Sequence, residues 1–222
     1  MARARNVDNM LSKRQHVVMT ENVHVAVYDT FVDWEIGFAI DHINKPLWHK
    51  HPGRFAVTTV GVSSDPIVTM GGMTVVPDTT LDEIGPQDSA MLILAGNDIW
   101  NTEQFTPFVT KARDFLDAGV PVAAICGATA GLATAGLLDD REHTSNAAEF
   151  LGGLGGYAGG HLYRDAPAVS DRDLITASAT APVHFAREIL ERLDVFGPSV
   201  LASWFKLYGQ RDPAGFHELM AG

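Results

Sequence analysis

The residue best placed for chemistry is Cys126, the one cysteine in this chain of 222 residues. It ends the apolar run PVAAIC and is followed directly by Gly127 and an alanine-rich segment with the character of a helix. An abrupt turn from strand to helix requires small side chains two residues before and two residues after a nucleophile. Ala124 and Ala128 occupy those two positions. The pattern predicts a nucleophile turn that presents the thiol of Cys126.

The same position sets an expectation for reactivity. A thiol at a helix N-terminus faces unpaired backbone N–H groups and the positive end of the helix dipole, so we predict that the pKa of Cys126 falls. Those amides, that of Gly127 first, are also suited to hold a developing oxyanion. The alternative is a buried thiol that acts as a small, inert core residue.

Strands and helices must alternate to place such a turn at a sheet edge, and the chain has this alternation. The predicted strands cover residues 23–28, 55–62, 90–95, 120–125 and 173–177, and the predicted helices cover residues 34–43, 105–118, 128–138, 183–193 and 199–208. A glycine pair in residues 67–76 predicts a hairpin-like pair of short strands. Two of the strands are apolar throughout, which is typical of strands covered on both faces. We therefore predict an α/β fold with a mainly parallel sheet, helices on both faces, and one domain at residues 23–222.

Composition excludes several classes of function. The formal net charge is −11 and the sequence pI is about 5.1, with no compensating basic stripe, so we predict no nucleic-acid partner. Residues 120–138 carry no charge, but Pro121 and several glycines interrupt them, which favours a buried strand and helix over a membrane span. We predict no membrane partner.

The N-terminal segment lacks the features of a targeting signal. Residues 1–22 are polar, slightly basic and without periodicity, and no apolar stretch of signal-peptide length follows Arg3 and Arg5. We predict a disordered tail at residues 1–22. A single thiol that has no partner for an internal disulfide is typical of a reducing compartment, so we predict a cytoplasmic protein.

At this point the residues indicate a family. The segment VPVAAICGATAGLATAGLL, followed by HTSN, by GGYAGGHLYRDAPAVSDRDLITASATAP and by HFAREILERL, resembles the DJ-1/PfpI superfamily, within the class I glutamine amidotransferase-like fold. The similarity runs from about Val23 to Leu193. It implies a flavodoxin-like three-layer sandwich, a strained nucleophilic cysteine at Cys126 and, commonly, a homodimer.

The resemblance also implies further site residues. The family places an acid from its first helix beside the sulfur, and in the segment VDWEIG the matching position is Glu35; alone, that carboxylate would be read as a favourable charge in a first helical turn. Some hydratase members use an aspartate near Asp33, although Thr30-x-x-Asp33 also resembles a capping box. The second oxyanion amide of the family falls on Gly96, which would otherwise be an ordinary turn glycine.

The departures from the family pattern matter for mechanism. Protease-like members carry a histidine directly after the cysteine, where this chain has Gly127. Other members carry one about twenty residues later, at the position of Asn146. His143 is close by, but an offset of three residues along a strand points to the opposite face. Peptidase and stand-alone glutaminase activities are therefore less expected, and Asn146 and His143 are assigned supporting positions around the cysteine.

Other motifs give no metal or cofactor. His49-x-His51 lies between prolines and is read as a loop, and the glycine-rich residues 152–160 lack the Lys-Ser/Thr of a phosphate loop. We predict an enzyme in which Cys126, assisted by Glu35, acts on a small electrophilic substrate such as an amide, isonitrile or reactive carbonyl by hydrolysis or hydration, as in amidases, hydratases and glyoxalases. The alternatives are an oxidant-sensing or protective, chaperone-like protein that oxidises Cys126 to a sulfinate, and a scaffold that has lost catalysis.

Overall fold

The computed structural model describes residues 20–221. The predicted tail at residues 1–22 therefore lies mostly outside the described residues. Its last two residues belong to the first strand, which begins at Glu21 and not at Val23 because Glu21 and Asn22 already pair with Phe55 and Ala56.

The described part of the chain contains nine strands and seven α-helices. The strands are β1 (Glu21–Ala26), β2 (Phe55–Gly61), β3 (Ile67–Val68), β4 (Thr74–Val75), β5 (Thr79–Thr80), β6 (Ser89–Leu94), β7 (Val122–Ile125), β8 (Ala168–Asp171) and β9 (Leu174–Ala177). The helices are α1 (Asp33–Asn44), α2 (Thr106–Asp117), α3 (Gly127–Thr134), α4 (Ala148–Gly152), α5 (Pro182–Arg192), α6 (Pro198–Tyr208) and α7 (Ala214–Ala221).

Seven of the strands form one sheet in the order β5-β2-β1-β6-β7-β9-β8. Every pairing in it is parallel except that of β8 with β9. Strands β3 and β4 form a separate antiparallel hairpin, as the glycine pair predicted. Parallel neighbours need crossover connections: α1 lies between β1 and β2, α2 between β6 and β7, and α3 and α4 between β7 and β9. The predicted mainly parallel α/β fold is confirmed.

The core lies at the centre of this sheet. Residues 91–94 of β6 and all four residues of β7 are buried, since helices cover both faces. Helix α1 packs on α5 and α5 on α6, while α2 packs on α3, and these two groups flank the sheet. Helix α6 contributes the completely buried Trp204 to the core.

The short elements were not predicted from the sequence. Strands β5 and β8 lie at the two sheet edges, and α4 and α7 are brief helices. The helix after Cys126 ends at Thr134, earlier than predicted, and the chain turns at Gly136, whose φ of 72° is in the left-handed region. Within residues 20–221 no helix combines the length and the apolar character needed to cross a bilayer.

Three buried histidines make stability depend on pH. Burial is the main cause that lowers the pKa of His24, His42 and His143. The unfolded chain therefore binds more protons than the folded one just below the ordinary histidine pKa, so their stabilisation is complete above about pH 6.5 and is lost as pH falls. Glu35 acts in the opposite sense, because burial raises its pKa and its stabilisation is lost as pH rises.

We expect the three histidines to dominate over the single glutamate. Urea unfolding should show a free energy of unfolding that falls by on the order of 1–3 kcal/mol between about pH 7.5 and about pH 5.5. His143→Gln should flatten this dependence. A free energy that stays constant or rises on acidification would contradict the assignment.

Candidate active site

Cys126 occupies a strained turn at the carboxyl end of β7. Its φ of 58° and ψ of −128° lie outside the ordinary regions for a residue with a side chain. Its N–H donates to the carbonyl of Ala177 at 3.0 Å, which fixes the turn to β9. Ala124 and Ala128 on either side are completely buried, so larger side chains would not fit there. The predicted nucleophile turn is present.

Gly127 is required by its close neighbours. A Cβ at this position would lie 2.9 Å from Trp100 Cδ1 and 3.1 Å from the Asn97 carbonyl oxygen. A side chain there would therefore displace the loop that follows β6. The Gly127 N–H acts to lower the pKa of the Cys126 thiol.

A buried pair of hydroxyls holds the Cys126 carbonyl. The Thr129 hydroxyl donates to that carbonyl at 2.6 Å, and its oxygen lies 2.7 Å from Ser145 Oγ. Thr129 and Ser145 are both buried. They fix the peptide that joins Cys126 to Gly127, and thereby the direction of the Gly127 N–H. Sequence reasoning missed this pair because its partners are 16 residues apart and neither carries a charge.

Removing the Thr129 hydroxyl should destabilise the turn. Thr129→Val keeps the shape of the side chain but leaves Ser145 without this partner, and we expect a loss of about 1–3 kcal/mol in the free energy of unfolding. The matched control is Thr134→Val in the same helix, since that hydroxyl bonds only to carbonyls of its own helix and its residue is exposed. Denaturant titration measures both. Equal free energies of unfolding in the two variants would contradict the proposed role of the Thr129 hydroxyl in holding the turn.

Glu35 comes to the sulfur from the first turn of α1. Its side chain is 1% exposed, and its Oε2 accepts the Gly96 N–H at 2.7 Å. A Cβ on Gly96 would lie 2.9 Å from that oxygen and 3.0 Å from Cys126 Sγ, so carboxyl, glycine and sulfur converge. The other carboxyl oxygen, Oε1, is buried without a conventional hydrogen-bond partner among the described residues. Burial raises the pKa of Glu35, an effect opposed by the Gly96 N–H and by the Cys126 thiol.

The pKa of Cys126 is raised, and the predicted fall is wrong. Burial is the largest cause, and the negative charge of Glu35 adds to it. Hydrogen bonds from Asn146 and from the Gly127 N–H act in the opposite direction without overcoming burial. The turn lies deep enough that burial outweighs the effect of the helix terminus. Glu35 raises the pKa of the Cys126 thiol, while the hydrogen bond of the thiol lowers the pKa of Glu35, so the two titrations are coupled.

The two backbone N–H groups predicted as oxyanion donors, those of Gly127 and Gly96, differ in whether they are free to bind an oxyanion. The Gly127 N–H directly follows the nucleophile at the start of α3 and acts to lower the pKa of the Cys126 thiol. The Gly96 N–H points into the same site but donates to Glu35 in this structure. An oxyanion role for Gly96 therefore requires that carboxyl to release it.

Asn146 is a further side chain in contact with the sulfur. Its Nδ2 donates to Cys126 Sγ at 3.5 Å, and its Oδ1 accepts the Ala179 N–H at 2.9 Å, which fixes the amide orientation. The preceding Thr144 N–H donates to Thr176 Oγ1 of β9 at 2.8 Å. The last three residues of the HTSN segment are thus each tied to the elements around the cysteine.

His143 is not positioned to act as a base for the Cys126 thiol. Its ring is completely buried, with Nδ1 2.7 Å from the Arg141 carbonyl and Nε2 2.7 Å from the Tyr157 hydroxyl. Both nitrogens are therefore engaged elsewhere, as its offset along the strand indicated. Its supporting position is that of a structural residue in the core.

Asp33 holds a neighbouring turn and neither caps its helix nor faces the thiol. Its Oδ2 accepts the Thr69 hydroxyl at 2.6 Å and the Gly71 N–H at 3.2 Å, which ties the β3–β4 hairpin to α1. Helix α1 has no side-chain cap, and Thr30 Oγ1 accepts the Asp98 N–H instead, so the capping box is wrong. The bonds from the hairpin account for the Asp33 carboxylate without a catalytic role.

A cysteine on a strand-to-helix turn, at the carboxyl edge of a parallel sheet and beside a buried carboxyl from the first helix, defines an α/β protein with a thiol-centred site. The chain belongs to the DJ-1/PfpI family, whose sequence profile matches residues 21–192. This confirms the resemblance stated above.

Individual relatives cover nearly the whole chain. "Uncharacterized protease YoaZ" of Bacillus subtilis (strain 168) is 42% identical over 207 residues, which is 91% of this chain and 98% of that protein. The crystal structure of the thiJ/pfpI family protein from Bacillus anthracis superimposes with a TM-score of 0.85 at 40% identity and covers 91% of this chain and 97% of that chain. The DJ-1 superfamily protein Atu0886 from Agrobacterium tumefaciens gives a TM-score of 0.76 at 32% identity and covers 87% of this chain and 100% of that chain.

Proposed function

We propose that this protein is a cysteine-dependent enzyme that hydrolyses or hydrates a small electrophilic substrate. The observation that carries the proposal is the convergence of the Cys126 sulfur, the buried Glu35 carboxyl and the Gly127 N–H at one strained turn. Strain of this kind persists where the surrounding structure enforces it, and it is common at active sites.

Glu35 supplies the proton transfer that a histidine supplies in related sites. As the thiol adds to a substrate carbonyl carbon, its proton passes to Glu35, and the carbonyl electron pair moves to the oxygen, where the Gly127 N–H binds it. Collapse of this adduct breaks the bond to the leaving group, which takes the proton from Glu35 and leaves a thioester. Water then adds to the thioester, gives its proton to Glu35, and the departing sulfur recovers that proton as a thiol.

The raised pKa of Glu35 suits this role. A general acid–base group works best when its pKa lies near the working pH, and burial moves this carboxyl in that direction. The thiol rests in its protonated form, so it needs the base at the moment of attack. No basic histidine is required.

The relatives named as uncharacterized proteases support a hydrolytic reaction. A Cys–His protease dyad is not supported, because Gly127 and Asn146 occupy the two positions where the family carries a histidine. We therefore propose small esters, amides or carbonyl compounds as substrates in preference to proteins.

The second candidate function is the oxidant-sensing role that the sequence left as an alternative. Peroxide reacts with the thiolate, and the raised pKa of Cys126 reduces the thiolate fraction at neutral pH. The reduced thiolate fraction therefore favours the hydrolytic function over oxidant sensing. Intact-mass measurement after mild peroxide checks it, since a sensor would gain two oxygens on Cys126 and a slow thiol would not.

The function is tested by titrating the single thiol. A screen of activated esters, amides and small aldehydes is run with protein alkylated by iodoacetamide to increasing extents. Turnover should fall in proportion to the alkylated fraction, because the chain holds one cysteine. Fully alkylated protein with native turnover would remove the proposal.

A further inference from the structure

A pocket of about 380 Å³ lies beside the cysteine site. It is lined by polar side chains for the most part, namely Ser145, Asn146, Asp165, Ser178, Thr180 and His184, with Ala166 and Pro167. Its volume is within the range of pockets that bind small molecules.

Two features join this pocket to the sulfur. Asn146 lines it and also donates to Cys126 Sγ. Ser178 follows Ala177, the residue of β9 that is paired with Ile125 and accepts the Cys126 N–H. The wall of the pocket therefore begins at the residue that directly follows the hydrogen-bond partner of the Cys126 N–H.

The pocket is lined by one acidic side chain, that of Asp165, and by no lysine or arginine. Asp165 is exposed, and among residues 20–221 no ion pair or side-chain hydrogen bond engages its carboxylate, since the adjacent Arg164 pairs with Glu142. Burial and then the charge of Arg187 lower the pKa of His184, opposed by Glu188, so its ring is uncharged at neutral pH.

We propose that this pocket holds the part of the substrate remote from the reacting carbon, and that it selects a group bearing an amine over one bearing a carboxylate. This inference rests on the proposed function of Cys126. Asp165 accepts from the amine, while the neutral His184 ring and the hydroxyls of Ser178 and Thr180, 3.2 Å apart, provide further hydrogen-bonding groups. A carboxylate in the same place would face Asp165 with no cation in the pocket wall to balance it.

The selectivity can be read from alkylation of Cys126 without any turnover. Three chloroacetamides of similar length serve as probes: one with a terminal amine, one with a terminal methyl and one with a terminal carboxylate. Each second-order rate at Cys126 is divided by the rate of the same reagent with the urea-unfolded protein. We expect the amine reagent to exceed the carboxylate reagent about fivefold, a preference that weakens with added salt, as for a single partly screened charge.

Matched variants separate the pocket from the overall charge. The chain carries a net charge of −11, which alone favours a cation. Asp165→Asn should reduce the preference to about twofold or less, while Asp82→Asn, which removes an equal charge from an exposed turn outside the pocket, should leave it near fivefold. Equal preferences in these two variants, or no preference in the native protein, overturn the inference. Failure of the proposed function differs, because fully alkylated protein would then retain turnover whatever the selectivity.

Discussion

Replacing Cys126 by serine is expected to lower turnover of an activated ester at least about a thousandfold. The hydroxyl is a far weaker nucleophile, and it sits in the same buried turn whose surroundings already hold the thiol in its protonated form. The backbone strain is unchanged, because serine has the same Cβ and accepts the φ of 58° on the same terms. The measurement is kcat/KM for native and variant protein under identical conditions.

Two controls are needed to interpret this result. Cys126→Ala should match the serine variant, and circular dichroism with urea unfolding should show that both variants fold. A serine variant within about tenfold of native kcat/KM would mean that the sulfur is not the nucleophile.

Glu35→Gln should have two effects of opposite sign. Turnover is expected to fall by about 10²–10⁴, because the amide cannot carry the proton between thiol and leaving group. Alkylation of Cys126 by iodoacetamide should become faster near neutral pH, because loss of the carboxylate charge removes one cause of the raised thiol pKa. Glutamine can still accept the Gly96 N–H through its carbonyl oxygen, so the geometry is kept.

The pH dependence of the alkylation rate gives the sign of the second effect. Its midpoint should move to lower pH in Glu35→Gln relative to the native protein. Glu103→Gln is the matched control, since this exposed glutamate begins the short turn before α2 and should shift neither quantity. A midpoint that moves to higher pH, or unchanged turnover, would contradict the role given to Glu35.

Part of this site was visible in the sequence because its rules are local. The alternation of strands and helices, the apolar runs at residues 90–95 and 120–125 and the small residues around Cys126 each follow from a few neighbouring positions. Glu35 was found only through the family resemblance, since its charge alone suits any first helical turn. Its burial and its bond to Gly96 join residues 61 positions apart.

The errors also have a physical cause. The pKa of Cys126 was assigned from the helix terminus, while the larger contribution is burial, which only the packed structure reveals. The capping box at Thr30-x-x-Asp33 is wrong because the partners of Asp33, Thr69 and Gly71, come from a hairpin more than thirty residues away. Polar pairs over such separations have no periodicity to detect. The homodimer implied by the family stays a prediction.

The most direct test of the account is to trap the acyl intermediate on the single cysteine. An activated ester is mixed with native protein, the reaction is quenched in acid at successive times, and the intact mass and the peptide containing Cys126 are measured. We predict a thioester on Cys126 that forms and decays fast enough to account for the steady-state rate. Turnover with no adduct on Cys126, or with one that forms more slowly than product appears, would contradict the account.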